Sequence, residues 1–311
     1  MALAPPGFAN ELHLYLGGLK ATSYSQSTYS WALEYRRPLS GHWAGSFTWL
    51  NEGHHPGRHR DGQAVQIWWH TAPSAGGARL EAGLGPYRYF DTVAAPNEQG
   101  YADAHGWGLV ASVGATWDLS GSWLASLRAN RVQVPGRISS TALVAGIGYR
   151  FERRGGAASR AETGGRAPAS RRSELDVMMG GTVVNSFDSD ADLAAGISWR
   201  MRATDHLAGS LAYLSEGSVR AGRRAGFAPQ LWLEDDIAER LSVGVGLGPY
   251  LATQKPRQAD GSHAPALSVL ISVTASYDIT PDWVGRATWN RVETHYDRDT
   301  DVVMLGLGYR F

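Results

Sequence analysis

Hydrophobic and polar residues alternate with a period of two along most of the chain. The alternation is most regular in two segments, residues 141–151 and 301–311, which read TALVAGIGYRF and DVVMLGLGYRF. In both, one alternate set is apolar and ends in Tyr and Phe, while the other set is rich in Gly and contains Arg. A period of two over about ten residues predicts a strand that crosses a membrane with one face toward lipid and the other toward a polar interior.

The same pattern predicts eight strands in the first half of the chain. They cover residues 11–22, 28–37, 43–52, 62–71, 78–91, 106–119, 122–134 and 141–151. The connections at 38–42, 72–77 and 120–121 are short, whereas those at 53–61 and 92–105 are longer and polar. Short turns on one side and longer loops on the other are typical of an up-and-down membrane barrel.

The second half of the chain repeats the first. The segment GLGPY occurs at 83–87 and again at 246–250, and the segment NRV occurs at 130–132 and again at 290–292. Other matches precede these in the same order in both halves, among them Glu11-Leu12 with Glu174-Leu175 and Gln66-x-Trp68 with Gln230-x-Trp232, so the sequence indicates a tandem duplication.

Side chains on the two faces of the strands predict a filled interior. On the strand 43–52, Trp43 and Phe47 fall on the lipid face, whereas Ser46 and Glu52 fall on the inner face. The ionisable residues expected inside the first barrel are Glu11, His13, Glu34, Arg36, Glu52, His70, Glu81, Asp118, Arg128 and Arg150. Because positive and negative charges are nearly balanced, we expect paired side chains to fill a narrow barrel that does not conduct.

The ends of each half are expected to meet. Glu11 and Arg150 lie at the same end of the first half, as do Glu174 and Arg310 in the second, so each half can close with an ion pair. Four aromatic residues flank the short turns and are expected in an interfacial girdle: Trp117, Trp123, Tyr277 and Trp283.

Composition excludes several other classes of protein. The chain has 311 residues with 38 Gly, 12 Trp, 13 Tyr and no Cys, and its formal charge is zero. Without a basic excess, nucleic acid is not an expected partner. Absence of Cys fits passage through an oxidising periplasm. The sequence contains no run of 18 apolar residues, so no transmembrane helix is predicted. Residues 1–10 are interpreted as an N-terminal extension of a mature form in which Met1 replaces a signal peptide.

A terminal strand that ends in Phe resembles the C-terminal signal of bacterial outer-membrane β-barrels, which the barrel assembly machinery reads. Each half also resembles the small eight-stranded outer-membrane barrels in length and strand count. The resemblance implies a bacterial outer-membrane location, termini in the periplasm, and contact with outer-membrane lipids and lipopolysaccharide. A monomer is expected.

The fold class predicted is all-β, with two tandem eight-stranded antiparallel barrels. The predicted barrels are residues 11–151 and 174–311, joined by a flexible periplasmic linker at 152–173 that is rich in Arg, Gly and Ala. One sixteen-stranded barrel is the alternative. A single barrel needs only a short turn between its eighth and ninth strands, so the long linker favours two barrels.

The two copies differ most at the second predicted loop. Residues 51–62 read NEGHHPGRHRDG, whereas 215–226 read SEGSVRAGRRAG, and we interpret only the Glu and the flanking Gly as retained. The copies also differ at the end of the fifth predicted strand, where residues 87–92 read YRYFDT and residues 250–253 read YLAT. The candidate site therefore comprises Glu52, His54, His59, Arg60, Asp61 and Asp91. These residues are expected to converge at the extracellular mouth of the first barrel, so that any binding or chemistry depends on the first copy.

Several functions fit such a cluster. Arg and His side chains suit the phosphates or sugars of lipopolysaccharide. A His beside a carboxylate suits the base-and-orienter pair of lipid-modifying eight-stranded barrels, but the loop offers no Ser nucleophile. His54, His59 and Asp61 also form a weak metal pattern, although we predict no metal and no cofactor, and a solvated loop without function is a further interpretation.

The favoured function is a non-channel surface protein that binds lipid or polysaccharide. An enzyme that modifies lipid A or phospholipid is the first alternative, and a sixteen-stranded diffusion porin is the second.

Overall fold

A computed structural model describes residues 9–22, 27–94, 100–151, 173–219, 222–256 and 262–311. The first eight strands are β1 (Glu11–Ala21), β2 (Ser27–Ser40), β3 (Trp43–His55), β4 (Arg58–His70), β5 (Ala78–Ala94), β6 (Tyr101–Ser120), β7 (Trp123–Gln133) and β8 (Ser140–Arg150). The other eight are β9 (Ser173–Val184), β10 (Ala191–Arg202), β11 (Leu207–Val219), β12 (Gly222–Ala238), β13 (Leu241–Gln254), β14 (Leu267–Asp278), β15 (Trp283–Glu293) and β16 (Thr300–Arg310). Within these ranges, no helix is long and apolar enough to cross a membrane.

The strands form two closed antiparallel barrels. Strands β1 to β8 pair in sequence order and β8 pairs back to β1, while β9 to β16 do the same and β16 pairs back to β9. The prediction of two tandem eight-stranded barrels is therefore confirmed, and the sixteen-stranded alternative is wrong because β8 pairs with β1 rather than with β9. Residues 152–172 of the predicted linker and residues 1–8 of the predicted extension lie outside the described ranges.

Each barrel has two distinct ends. In barrel one the Phe151 amide donates to the Asn10 carbonyl at 2.9 Å, and in barrel two the Phe311 amide donates to the Ser173 carbonyl at 2.9 Å. We call the end where these residues meet the terminal end. The opposite end, which carries the hairpin between β3 and β4 and its equivalents, is called the loop end.

The closing strands are joined as the sequence predicts. The Arg150 guanidinium lies 3.2 Å from the Glu11 carboxylate in barrel one, and the Arg310 guanidinium lies 3.0 Å from Glu174 in barrel two. Glycines on the last strand make room for the first strand: a Cβ added at Gly146 would lie 2.5 Å from the Tyr15 ring. Close packing and an ion pair thus accompany the backbone hydrogen bonds of closure.

An apolar band surrounds barrel one. On β6 the outward side chains run from Trp107 to Trp117 and include Leu109 and Val113, which are all exposed. Ten residues of a strand tilted by about 40° span roughly 25 Å, the height of the lipid-facing band of membrane barrels. Leu267 and Tyr277 on β14 bound an equally long outward run in barrel two.

Two predicted loops are largely strand. β3 continues to His55 and β4 begins at Arg58, so the loop predicted at 53–61 shrinks to a tight turn. Gly57 has a φ of 66°, which a turn of this kind favours. The region predicted as loop 92–105 likewise lies mostly in β5 and β6. Polar residues on both faces misled the prediction, because strands that extend beyond a membrane meet water on both faces.

Candidate functional site

The middle of barrel one is filled by a buried ionic cluster. The Glu34 carboxylate accepts hydrogen bonds from Arg128 at 2.8 and 2.9 Å and from Arg36 at 2.9 Å. Arg36 also donates to Glu81 at 2.6 Å, and the Arg128 guanidinium lies 4.1 Å from the centre of the Tyr15 ring. All five side chains are buried. Burial of so many charges is tolerated because each has an oppositely charged partner.

Barrel two fills its interior with a different set of pairs. Arg286 donates to Asp176 at 3.0 Å and also to Glu174, while Arg200 donates to Glu234. A cavity of about 30 Å³ lies beside Asp176, Arg200 and Arg286. This volume holds about two water molecules. The interiors therefore differ between the copies, although ion pairs occupy both.

Glu52 and Arg60 form a second buried cluster nearer the loop end of barrel one. The Arg60 guanidinium donates to both oxygens of Glu52, at 2.5 and 2.8 Å, and to the Ile138 carbonyl at 2.5 Å. The Tyr87 hydroxyl donates to Glu52 at 2.9 Å, and the Ser140 hydroxyl also donates to it. The residues in contact come from four strands and from the loop before β8, so both charged groups point inward.

Barrel two has the same cluster, which corrects the comparison of the copies. Arg224 donates to both oxygens of Glu216 at 2.6 Å, and the Thr300 hydroxyl donates to Glu216 at 2.6 Å. The signal was present in the sequence, since Arg60 follows Glu52 by the same interval that separates Arg224 from Glu216. The prediction that the second copy keeps only the Glu is wrong. A pair found in both copies is better explained by barrel stability than by a ligand specific to barrel one.

His54, His59 and Asp61 lie on the other face of the sheet. Adjacent residues on a strand point to opposite faces, so His59 and Asp61 face away from the inward Arg60. His54 is the register partner of His59 because a bulge at Gly53, with a φ of 72°, adds one residue to β3. The six predicted residues therefore do not converge: Glu52, Arg60 and Asp91 point inward, and the other three point outward.

The outward group is an aromatic cluster that sequence analysis missed in part. The His54 and His59 rings stack with their centres 4.1 Å apart. The Tyr29 hydroxyl lies 2.6 Å from Nδ1 of His54, and the Nε2 atom of His59 lies 3.0 Å from the Asn51 amide nitrogen. Tyr29 comes from β2, and only the register between strands reveals that it lies beside His54.

Asp91 pairs with Arg58, which is not among the predicted site residues. The Arg58 guanidinium donates to Asp91 through Nε at 2.8 Å and through a second nitrogen. Burial and the guanidiniums of Arg58 and Arg60 lower the pKa of His55 below its usual value. The lowered pKa favours the neutral imidazole of His55 at neutral pH.

A metal site is not formed by these residues. Within the described ranges, no three His, Asp or Glu side chains are placed to hold a metal ion. The weak metal pattern of His54, His59 and Asp61 therefore has no geometric support. What the outward group offers instead is aromatic surface and ring nitrogens, which suit hydrogen bonding to a polar ligand.

Comparisons with known proteins give likenesses among solved structures only. No protein-family model matches the chain, and no curated protein matches it. The N-terminal β-barrel domain of OprF from Pseudomonas aeruginosa aligns with 10% identity and a TM-score of 0.37, over 46% of this chain and 98% of that one. Ail of Yersinia pestis aligns with 12% identity and a TM-score of 0.36, over 46% and 99%. The CymD monoaromatic hydrocarbon channel aligns with 12% identity and a TM-score of 0.27, over 98% and 89%.

The architecture itself is the stronger finding. Two closed up-and-down barrels of eight strands each carry an apolar exterior and a charged interior. Such an inverted distribution of polarity is stable only when the exterior meets lipid. The chain is a tandem duplication of an eight-stranded β-barrel of the outer-membrane type.

Proposed function

We propose that the protein is a non-conducting surface protein of a bacterial outer membrane, which binds lipopolysaccharide at the loop end of barrel one. In this proposal the termini lie in the periplasm and the loop end faces outward. The observation that carries the proposal is the length of the hairpin formed by β5 and β6.

That hairpin extends beyond the apolar band. β5 has 17 residues and β6 has 20, whereas the equivalent strands of barrel two, β13 and β14, have 14 and 12. β6 continues from Trp107, at the edge of the band, to Tyr101, which is roughly 20 Å of further strand. Barrel one thus presents a projecting polar sheet beside the lipid headgroups, and β3 and β4 add the outward His54 and His59.

Direct binding tests the proposal. We expect the purified full chain in nanodiscs to bind lipopolysaccharide with measurable affinity and to leave lipid A chemically unchanged, since His54 contacts Tyr29 and His59 rather than a Ser nucleophile. Mass spectrometry of lipid A from cells with and without the protein provides the second measurement. A mass shift of lipid A that depends on the protein would indicate enzymatic modification instead of binding as the function. Failure of the protein to bind lipopolysaccharide would reject the proposal.

Absence of conductance is a separate prediction. Eight strands leave room only for side chains, and the clusters around Glu34 and Glu216 occupy the two interiors. We therefore expect planar bilayers containing the purified protein to show no stable channels of porin size. Large and reproducible conductance steps would contradict this expectation and favour solute diffusion as the function.

A further inference from the structure

One face of Tyr29 is left open by a glycine. Gly18 on β1 is the register partner of Tyr29 on β2. The nearest atom to a Cβ built on Gly18 is the Thr28 carbonyl oxygen at 3.9 Å, so a side chain would have room there. Tyr29 is 49% exposed. Gly18 therefore creates an accessible aromatic surface rather than relieving a close contact.

Nitrogen groups border this aromatic surface on two sides. Lys20 lies two residues beyond Gly18, on the same face of β1, and is exposed. On the other side the Tyr29 hydroxyl engages Nδ1 of His54, which leaves Nε2 of that exposed ring for a ligand. The group therefore combines an aromatic ring with an ammonium and an imidazole. The ammonium and the imidazole can donate hydrogen bonds to phosphate oxygens.

The position of the group along the barrel indicates what it meets. Leu14 and Leu16 precede Gly18 on the outward face of β1 and are 45% and 62% exposed, as lipid-facing residues are. Gly18 and Lys20 come next toward the loop end. They therefore lie where the apolar band gives way to the headgroup layer, and aromatic and basic residues at this level contact headgroups.

We propose that Gly18, Lys20, Tyr29 and His54, which we call the Tyr29 platform, bind the phosphorylated sugar headgroup of lipopolysaccharide. The sugar ring lies against the Tyr29 face that Gly18 leaves open, where C–H groups meet the negative π surface. The phosphate lies between the Lys20 ammonium and the His54 imidazole. This inference rests on the proposed function and specifies its site.

Barrel two shows what the platform would be without its functional groups. The counterpart of Gly18 is Gly181, whose register partner is Leu193 in place of Tyr29. Val183 stands where Lys20 does, and Ser218 stands where His54 does. Leu193 is 80% exposed, so the surface is equally open but apolar. The ligand is therefore assigned to barrel one alone.

The open space at Gly18 permits a sharp test. A Gly18→Trp variant of the full chain should cover the Tyr29 ring and weaken lipopolysaccharide binding by about tenfold or more, an ordinary effect for one lost anchor. Gly181→Trp is the matched control in barrel two and should bind as the wild type does. If Gly18→Trp does not fold, Tyr29→Leu installs the barrel-two residue and should produce the same loss.

The probes separate failure of the site from failure of the function. Wild-type protein that does not bind lipopolysaccharide would reject the proposed function together with the platform. Normal wild-type binding that survives both Gly18→Trp and Tyr29→Leu would reject the platform alone. Removal of the phosphates from lipopolysaccharide should weaken its binding to the wild type. The same removal should not further weaken its binding to the Lys20→Gln variant. Delipidated core oligosaccharide that binds as tightly as the intact lipid would overturn the assignment to a membrane lipid.

Discussion

Replacing Arg224 with Met is expected to destabilise barrel two by about 3–5 kcal/mol, because it leaves the buried Glu216 carboxylate without a cationic partner. The remaining donors to Glu216 are hydroxyl groups such as that of Thr300, which solvate a charge less well than a bidentate guanidinium. Urea titration of the refolded protein in detergent, followed by tryptophan fluorescence, measures the loss. A change below about 1 kcal/mol would show that the pair contributes little.

A double variant shows whether such a loss of stability comes from the unpaired carboxylate or from lost packing. Glu216→Leu combined with Arg224→Met removes both charges, and we expect it to recover most of the stability, because well-packed apolar residues often replace a buried ion pair at little cost. Arg60→Met is the matched variant in barrel one and should produce a similar loss there. If the double variant were as unstable as Arg224→Met, lost packing rather than the unpaired carboxylate would be the cause.

Cutting the chain between the barrels is the second change with a large expected effect, since each half should fold without the other. A fragment of residues 1–151 and one of residues 173–311 each contain all the strands of a closed barrel. We expect both to refold in detergent and to show the heat-modifiable gel shift of small barrels. Closure leaves no strand edge unpaired, which is what independent stability in lipid requires.

The control for this experiment is an incomplete barrel. A fragment of residues 1–120 lacks β7 and β8, so β1 and β6 would expose unpaired backbone groups. It should aggregate or remain unfolded. Failure of both complete halves, with success of the whole chain, would show that the two barrels depend on each other.

The period-two pattern predicted the barrels well because it follows from the pleat of a strand. Inward Glu34 and outward Leu33 are adjacent, and the structure places both as their polarity predicts. The ion pair between Glu11 and Arg150 was predictable for the same reason, since both residues end strands at one end of the barrel.

The candidate site was predicted less well because one residue shifts the pattern. Glu52 and His54 are two apart and would share a face on a regular strand, but the bulge at Gly53 places them on opposite faces. The sequence alone does not locate the bulge, so the predicted site joined an inward ion pair with an outward aromatic cluster. Tyr29 was missed because contact between strands depends on register rather than on distance along the chain.

The contacts that close the two barrels are equivalent, so they do not determine whether β1 pairs with β8 or with β16. Glu11 could meet Arg310 as well as Arg150, and Tyr15 would find a glycine at Gly306 as it does at Gly146. Contacts of this kind stabilise a closed barrel without discriminating between the correct and the exchanged partner, which specificity requires. Correct pairing must then come from the order in which the strands are delivered. Because β8 is delivered before any strand of the second copy, it can pair with β1 before the competing strand β16 is present. A translocation order that delivered the second copy early would expose the chain to strand exchange between its own halves.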